Sequence, residues 1–299
     1  MIRKICMFTL LLALSVGRSH AQQKPLAEVF CGAELFYGDV NFTRLYNHFI
    51  TLTPGGKLHL GKGWDVAAQA WIPLINEGYP DRYSRLRLRN FSLSKELRFD
   101  DERQYFKLSA GLFGKARYGA DLRWFFPVNS WLLLHARGGY TNYWTLAVGS
   151  DDYESIFETK DFVLTGTLGA SVWLKPWATE LRGSGGRFLN KDYGVEGEII
   201  RHFNHCSVSI FAQYHELAPK EYSGPHRYSG GFRIVMMLPP YNKKQRQQRT
   251  VVFRPASNFR LDYVAQSDGY TMQTYNTDPE ENERTMPMII PWGTGNFDE

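Results

Sequence analysis

A strict alternation of side-chain type is the feature that most constrains how this chain can fold, and it is clearest from Tyr193 to Phe203. One parity holds the apolar residues Tyr193, Val195, Ile199 and Phe203, and the other holds the ionisable residues Glu196, Glu198 and His202. A period of two predicts a β-strand with two unlike faces. Because burying unpaired charge in a dry core is costly, the ionisable face points to water or to partner charges.

The same alternation recurs along the chain, while convincing helical periodicity is hard to find. Further segments of this kind lie at or near residues 28–37, 64–72, 85–99, 104–113, 116–126, 131–141, 162–174, 207–217, 228–238 and 257–265. Strand after strand with little between them predicts an all-β, antiparallel architecture.

A soluble sandwich, a soluble barrel and an outer-membrane barrel all satisfy that pattern, but three features favour the membrane barrel. The segments of about 9–13 residues are closer to the ~9–11 that cross a bilayer at a tilt than to the ~5–6 of soluble sheets. Aromatic residues gather at the strand ends, as at 124–126, Trp131, 140–144, Trp173 and Trp177. Short turns such as 127–130 alternate with longer polar connections such as 149–161. We therefore expect a transmembrane β-barrel of the outer-membrane type with about 12–14 strands, even in number.

The N-terminus predicts export. Arg3 and Lys4 precede a twelve-residue apolar stretch, 5–16, and small residues at Ser19 and Ala21 form a cleavage site. We expect residues 1–21 to be a signal peptide, residues 22–275 to form the barrel, and residues 276–299, rich in Pro, Gly and acids, to be a flexible tail.

Net charge, hydropathy and cysteine content limit the binding partners, membrane spans and disulfides that the chain could have. Removing residues 1–21 lowers the net charge from +5 to +2, which gives no electrostatic case for binding nucleic acid. Beyond the signal there is no apolar run long enough for a helical membrane span. Cys31 and Cys206 remain, and either a disulfide or two thiols is compatible with the sequence.

A basic cluster stands out at one strand. Arg85, Arg87 and Arg89 fall on one face, with Leu86 and Leu88 on the other. Three like charges about 7 Å apart repel, so they need acidic partners or an anionic ligand. Two interpretations stay open: a basic lumen wall that binds anionic glycans, or ion pairs with acids such as Glu196 and Glu198. The alternation shifts after this point, which predicts a bulge at 89–90.

No catalytic or metal site is predicted. No stretch carries a nucleophile elbow, and His202 and His205 lack companions at zinc spacing. The glycines at 183–186 have neither the lysine of a phosphate-binding loop nor a following helix. We expect a non-enzymatic protein without a cofactor or a metal ion.

The segment 186–238 resembles the YjbH family of outer-membrane proteins. The resemblance rests on a Gly-Arg-Phe-Leu opening followed by an acid and a glycine, then Arg-x-Phe, and then a Gly-Gly strand that ends in Leu-Pro. The matching residues are Gly186, Arg187, Phe188, Leu189, Asp192, Gly194, Arg201, Phe203 and the run 228–239.

This resemblance implies a role in exopolysaccharide biosynthesis and secretion at the outer membrane of Gram-negative bacteria. It implies contact with outer-membrane lipids and, as partners, exopolysaccharide and other proteins of the export system. The motif residues suit structural roles: glycines in tight turns, and Arg187, Asp192 and Arg201 in ion pairs of the lumen. A generic diffusion porin and a lipid-modifying barrel enzyme are the alternatives.

Overall fold

The computed structural model describes residues 26–37, 48–77, 84–99, 104–114, 117–143, 162–188, 191–203, 206–216, 228–237, 251–253 and 258–265. The predicted signal peptide (1–21), the tail (276–299), the connection 149–161 and Leu189 lie outside these ranges.

The described residues form strands in the order that the alternation predicts. The strands are β1 (Ala27–Tyr37), β2 (His48–Gly61), β3 (Trp64–Glu77), β4 (Arg87–Phe99), β5 (Gln104–Phe113), β6 (Arg117–Pro127), β7 (Leu132–Tyr143), β8 (Val163–Leu174), β9 (Thr179–Arg187), β10 (Tyr193–His202), β11 (Cys206–Glu216), β12 (Tyr228–Met237), β13 (Val251–Phe253) and β14 (Asn258–Ala265). A single 3-10 turn, Lys175–Trp177, joins β8 to β9. The all-β prediction is confirmed.

The strands make one sheet with a simple up-and-down order. Each strand from β1 to β12 pairs antiparallel with the next one in sequence. β14 then pairs antiparallel with β12 and parallel with β1, and β13 also pairs parallel with β1. Every connection can be short because sequence neighbours are also sheet neighbours.

The expected even strand number is not what this order gives. β13 and β14 lie one after the other along the same edge of β1, opposite Ala27–Val29 and Ala33–Tyr37. They therefore share one position, and the order has thirteen positions. An even number of up-and-down strands would bring the first and last together antiparallel, whereas an odd number makes them parallel, as observed.

Connection length differs between the two ends of the sheet. At the end where β2 runs into β3, the connections are two to four residues long: 62–63, 100–103, 128–131, 175–178 and 203–205. The connection 238–250 is the longer one at this end. At the opposite end four connections have nine to nineteen residues, namely 38–47, 78–86, 144–162 and 217–227, and two are short, 114–116 and 188–192. We call these the short-turn end and the long-loop end.

The two faces of the sheet are inverted relative to a soluble protein. Among the described residues, 25 buried side chains are polar or charged and ten are apolar. Large apolar side chains lie instead on the exposed face, where Leu168, Ile210 and Tyr228 are each at least two-thirds exposed. Within the described ranges no helix is long and apolar enough to span a membrane.

Candidate functional site

Strand β10 shows both faces side by side. Tyr193, Val195 and Ile199 are each more than half exposed, whereas Glu198 and His202 are buried. This is the division that the alternation from 193 to 203 predicts. β10 pairs with β9 and β11 without a register shift, so its buried residues meet neighbours at the same height.

Glu198 is the centre of a buried network on β9–β12. Arg182 Nη1 donates to its Oε2 at 3.3 Å, and Arg233 Nη1 donates to its Oε1 at 3.1 Å. The Ser209 hydroxyl donates to the same Oε1 at 2.6 Å. One carboxylate thus holds groups from β9, β11 and β12 together, and charge-assisted hydrogen bonds of this kind are the strong ones.

Arg182 extends this network to a second carboxylate, Glu180. Its Nε and Nη2 donate to Glu180 Oε1 at 2.9 Å and 2.7 Å, and His202 Nε2 lies 3.1 Å from Glu180 Oε2. The Trp173 ring packs edge-on against the His202 ring at 5.6 Å. A histidine paired with a carboxylate is part of many hydrolytic sites, but such a site also needs a nucleophile that gives its proton to the histidine. The Ser209 hydroxyl donates to Glu198 instead.

A second buried network lies on β1–β4 near the short-turn end. Lys57 Nζ is 3.2 Å from Asp65 and 3.8 Å from Glu96. His59 Nδ1 lies 2.5 Å from the other oxygen of Asp65, and His59 Nε2 lies 3.5 Å from Glu28. The charges alternate in sign, so the network can be buried without a large unpaired charge.

A third group is predominantly basic. Lys107, Arg123 and Arg137 are register partners across β5, β6 and β7. Arg137 Nε donates to both oxygens of Asp121 at 3.1 Å and 3.0 Å, and Arg123 Nε donates to Asp121 at 3.4 Å. Asp121 is buried and accepts hydrogen bonds from two of the three cations, Arg123 and Arg137.

The structure divides the predicted arginine cluster. Arg87 and Arg89 lie on β4 with their guanidinium groups 4.7 Å and 5.6 Å from the centre of the Trp71 ring, while Arg85 precedes the strand. The predicted bulge is present, because Gln69 pairs with Asn90 and Ala70 pairs with Leu88, which leaves Arg89 as the extra residue.

The ion-pair interpretation holds for Arg89, but its partner is neither Glu196 nor Glu198. Arg89 forms its ion pair with Glu34 on β1. Glu198 is bound by Arg182 and Arg233, and Glu196 accepts a hydrogen bond from Gln213. The reason is topological: β1 is three positions from β4 in the sheet order, whereas β10 is six positions away.

The motif of the resemblance forms the connection between β9 and β10. Phe188 is fully buried, and its backbone N–H donates to the Asp192 carbonyl at 2.8 Å. Gly186 has φ +151°, and a Cβ there would lie 2.1 Å from the Gly166 carbonyl oxygen. Only glycine fits such a position.

Arg201 and Phe203 of the motif lie on the exposed face. Arg201 is exposed, where it donates to Thr179 Oγ1 at 3.3 Å and lies over the Phe203 ring at 5.9 Å. The predicted ion pair of Arg201 in the lumen is therefore wrong. Asp192 is buried, Arg187 is half-buried, and Gly194 lies on the same face of β10 as Glu196.

Sequence reasoning missed several charged residues of the buried networks. Glu180 and Arg182 alternate in 179–187, and Asp121 and Arg123 alternate in 117–127. The same period-two signal that identified Glu198 was present at both places. Cys31 and Cys206 are thiols and form no disulfide, which decides between the two alternatives left open by the sequence.

Neither a metal-binding group nor a known relative indicates what this site does. In the part of the chain that the structure describes, no group of three or more His, Cys, Asp or Glu residues is placed to hold a metal ion. No family model, no curated protein and no solved structure matches the chain.

Proposed function

We propose that the chain is an outer-membrane β-barrel with a non-enzymatic role in the export, assembly or surface handling of an exopolysaccharide. The main observation that supports a barrel is the inversion of the two faces of the sheet: charged networks are buried and large apolar side chains are exposed. Pairing of β1 with β2 on one edge and with β13 and β14 on the other supports closure. In lipid, closure satisfies the backbone hydrogen bonds that an open sheet edge would leave unpaired.

The height of the exposed apolar band fits a bilayer. Tyr193 and Phe203 lie at the two ends of β10 and are both exposed. Ten residues span about 33 Å along a strand, and at a tilt of about 40° this is about 25 Å along the barrel axis, the height of an outer-membrane apolar band.

Eight of the ten exposed aromatic residues in the described ranges lie near an end of their strand, and the other two are Phe91 and Phe232. Those near the long-loop end are Tyr140, Tyr193, Tyr214 and Tyr228, and those near the short-turn end are Phe99, Trp131, Trp177 and Phe203. Aromatic rings at both interfaces are typical of such barrels. The short-turn end would face the periplasm and the long-loop end the cell exterior, because outer-membrane barrels have short periplasmic turns.

The packing of the buried face favours a specific role over general diffusion. Arg117, Asp121 and Glu180 are each at most 2% exposed. Charged side chains along a wide water-filled pore would be accessible to solvent, whereas these are covered by one another and by their neighbours. Buried charges of this kind therefore favour a specific role over a wide diffusion pore.

The polysaccharide part of the proposal comes from the resemblance of 186–238 to the YjbH family. Aromatic rings and paired charges can stack on sugars and hydrogen-bond to them, which is compatible with glycan handling. Outer-membrane lipids, the exopolysaccharide and other export proteins would then be the partners.

Two biochemical measurements test the barrel itself. The protein should fractionate with outer membranes, and an unboiled sample should migrate differently from a boiled one on a detergent gel. Intact mass should show cleavage after Ala21. A freely soluble periplasmic protein would contradict the proposal, as would a gel mobility that boiling leaves unchanged.

A clean deletion tests the function. Extracellular and cell-associated polysaccharide would be measured by sugar analysis, together with small-solute permeability and lipid composition. We expect the amount or form of the polysaccharide to change, with restoration by the full chain and none by a control that lacks residues 2–21. Unchanged polysaccharide with lower permeability would replace this role by a porin, and an altered lipid composition alone would replace it by a lipid-modifying enzyme.

A further inference from the structure

The junction between β1 and the two C-terminal strands differs from the other junctions of the sheet. It is parallel, whereas the pairings from β1 to β12 and between β12 and β14 are antiparallel. Parallel pairing is slightly less stable per residue than antiparallel pairing.

The register along this junction also shifts. Val29 pairs with Phe253 and Ala33 pairs with Phe259, so the register against β1 differs by two residues between β13 and β14. By contrast, β1 pairs with β2 without a shift from Ala27 to Tyr37. The register is thus constant along one edge of β1 and shifts by two residues along the other.

Side chains of β1 are attached to the regular edge. Phe30 packs so closely over Gly55 of β2 that a Cβ there would lie 2.6 Å from the ring. Glu28 lies 3.5 Å from His59, and Glu34 pairs with Arg89 on β4. If the ring of strands opens, β1 should therefore remain with β2–β4.

We propose that the barrel opens sideways at this junction, between β1 and β13–β14, and that this opening is required for its role. An opening here gives the polar interior direct access to the surrounding lipid, which a molecule with a sugar part and an acyl part would need. The functional half of this inference rests on the proposed polysaccharide role, and the mechanical half does not.

Hydrogen exchange tests the mechanical half without any assumption about function. Along Ala33–Tyr37, alternate backbone N–H groups point to β2 and to β14. In the refolded barrel, the amides directed to β14 should exchange about tenfold or more faster than those directed to β2, because local opening sets the exchange rate. Equal protection of the two sets would overturn the proposal.

A disulfide lock tests the functional half. In a Cys31→Ala, Cys206→Ala background, Ala33→Cys with Phe259→Cys places two thiols at register partners across the junction. The matched control, Ile199→Cys with Ile210→Cys, places them across β10–β11. Both variants must retain the gel mobility of the folded protein. Paired residues in neighbouring strands are close enough for a disulfide.

We expect the junction lock to reduce polysaccharide at the cell surface to the level of the deletion strain, and a reductant to restore it, while the control lock has no effect. A junction lock with full function would overturn lateral opening. If the deletion strain itself shows normal polysaccharide, the proposed function fails instead, and hydrogen exchange alone decides on the junction.

Discussion

The strands β9–β12 and β1–β4 both bury charged residues, but their registers differ in regularity. β10 runs without a register shift beside both of its neighbours, and Glu198 is the register partner of Arg182. Between β2 and β4 the register shifts at Ile50/Thr51, at His59/Gly61 and at Gln69/Ala70. There the register skips Arg89, which forms an ion pair with Glu34 on β1. A regular ladder places partners at one height, whereas a bulge redirects a side chain to a more distant strand.

The largest expected effect comes from removing the central charge of the regular region. Glu198→Gln leaves Arg182 and Arg233 with less compensation in a buried site, and we expect the free energy of unfolding to fall by about 3–5 kcal/mol. Urea unfolding of the protein refolded in detergent micelles would measure this.

The matched control for this loss is Glu77→Gln. Glu77 lies 3.6 Å from His48 and its side chain is 58% exposed, so we expect a change below about 1 kcal/mol. Equal effects of the two substitutions would show that the network around Glu198 is not a stabilising unit.

The next effect tests whether the exposed face of β10 meets lipid. Ile199 is 57% exposed near the middle of the apolar band, and Ile199→Arg in a bilayer should cost about 2–4 kcal/mol. Tyr193→Arg, at the girdle, should cost about 0–1 kcal/mol because the cost falls near the interface. If both substitutions are neutral, the exposed face of β10 is in contact with water.

Backbone geometry at the motif gives a smaller effect with its own control. Gly186→Ala brings a Cβ against the Gly166 carbonyl at a positive φ, which we expect to cost about 1–3 kcal/mol. Gly197 on β10 has open space where a Cβ would lie, so Gly197→Ala should be neutral or stabilise by up to about 1 kcal/mol. The unfolding midpoint of Gly186→Ala should fall, while that of Gly197→Ala should stay the same or rise. A loss of stability in Gly197→Ala alone would contradict this account.

The alternation predicted the strands and the division of faces because both depend on local sequence. It predicted the division on β10 and the bulge at Arg89, since each is a property of one strand or one pair. It did not predict that Arg89 pairs with Glu34, because that contact depends on how the sheet curves across the two strands between β1 and β4. The parallel pairing of β1 with β14 also depends on the total strand number, which no single segment shows.

Arg201 belongs to the motif, but its position along β10 places it on the exposed face. Its substitution is expected to have the smallest effect on stability. The motif suggested an ion pair in the lumen, but Arg201 has the parity of Ile199 and lies on the exposed face beside Phe203 at the short-turn end. A long side chain at this height can extend its charge to the interface. Arg201→Gln should therefore change the free energy of unfolding by less than about 1 kcal/mol. Arg182→Gln removes the cation between Glu180 and Glu198 and should cost about 3 kcal/mol or more. A loss at Arg201 as large as that at Arg182 would return Arg201 to the buried network and show that the register assigned to β10 is wrong.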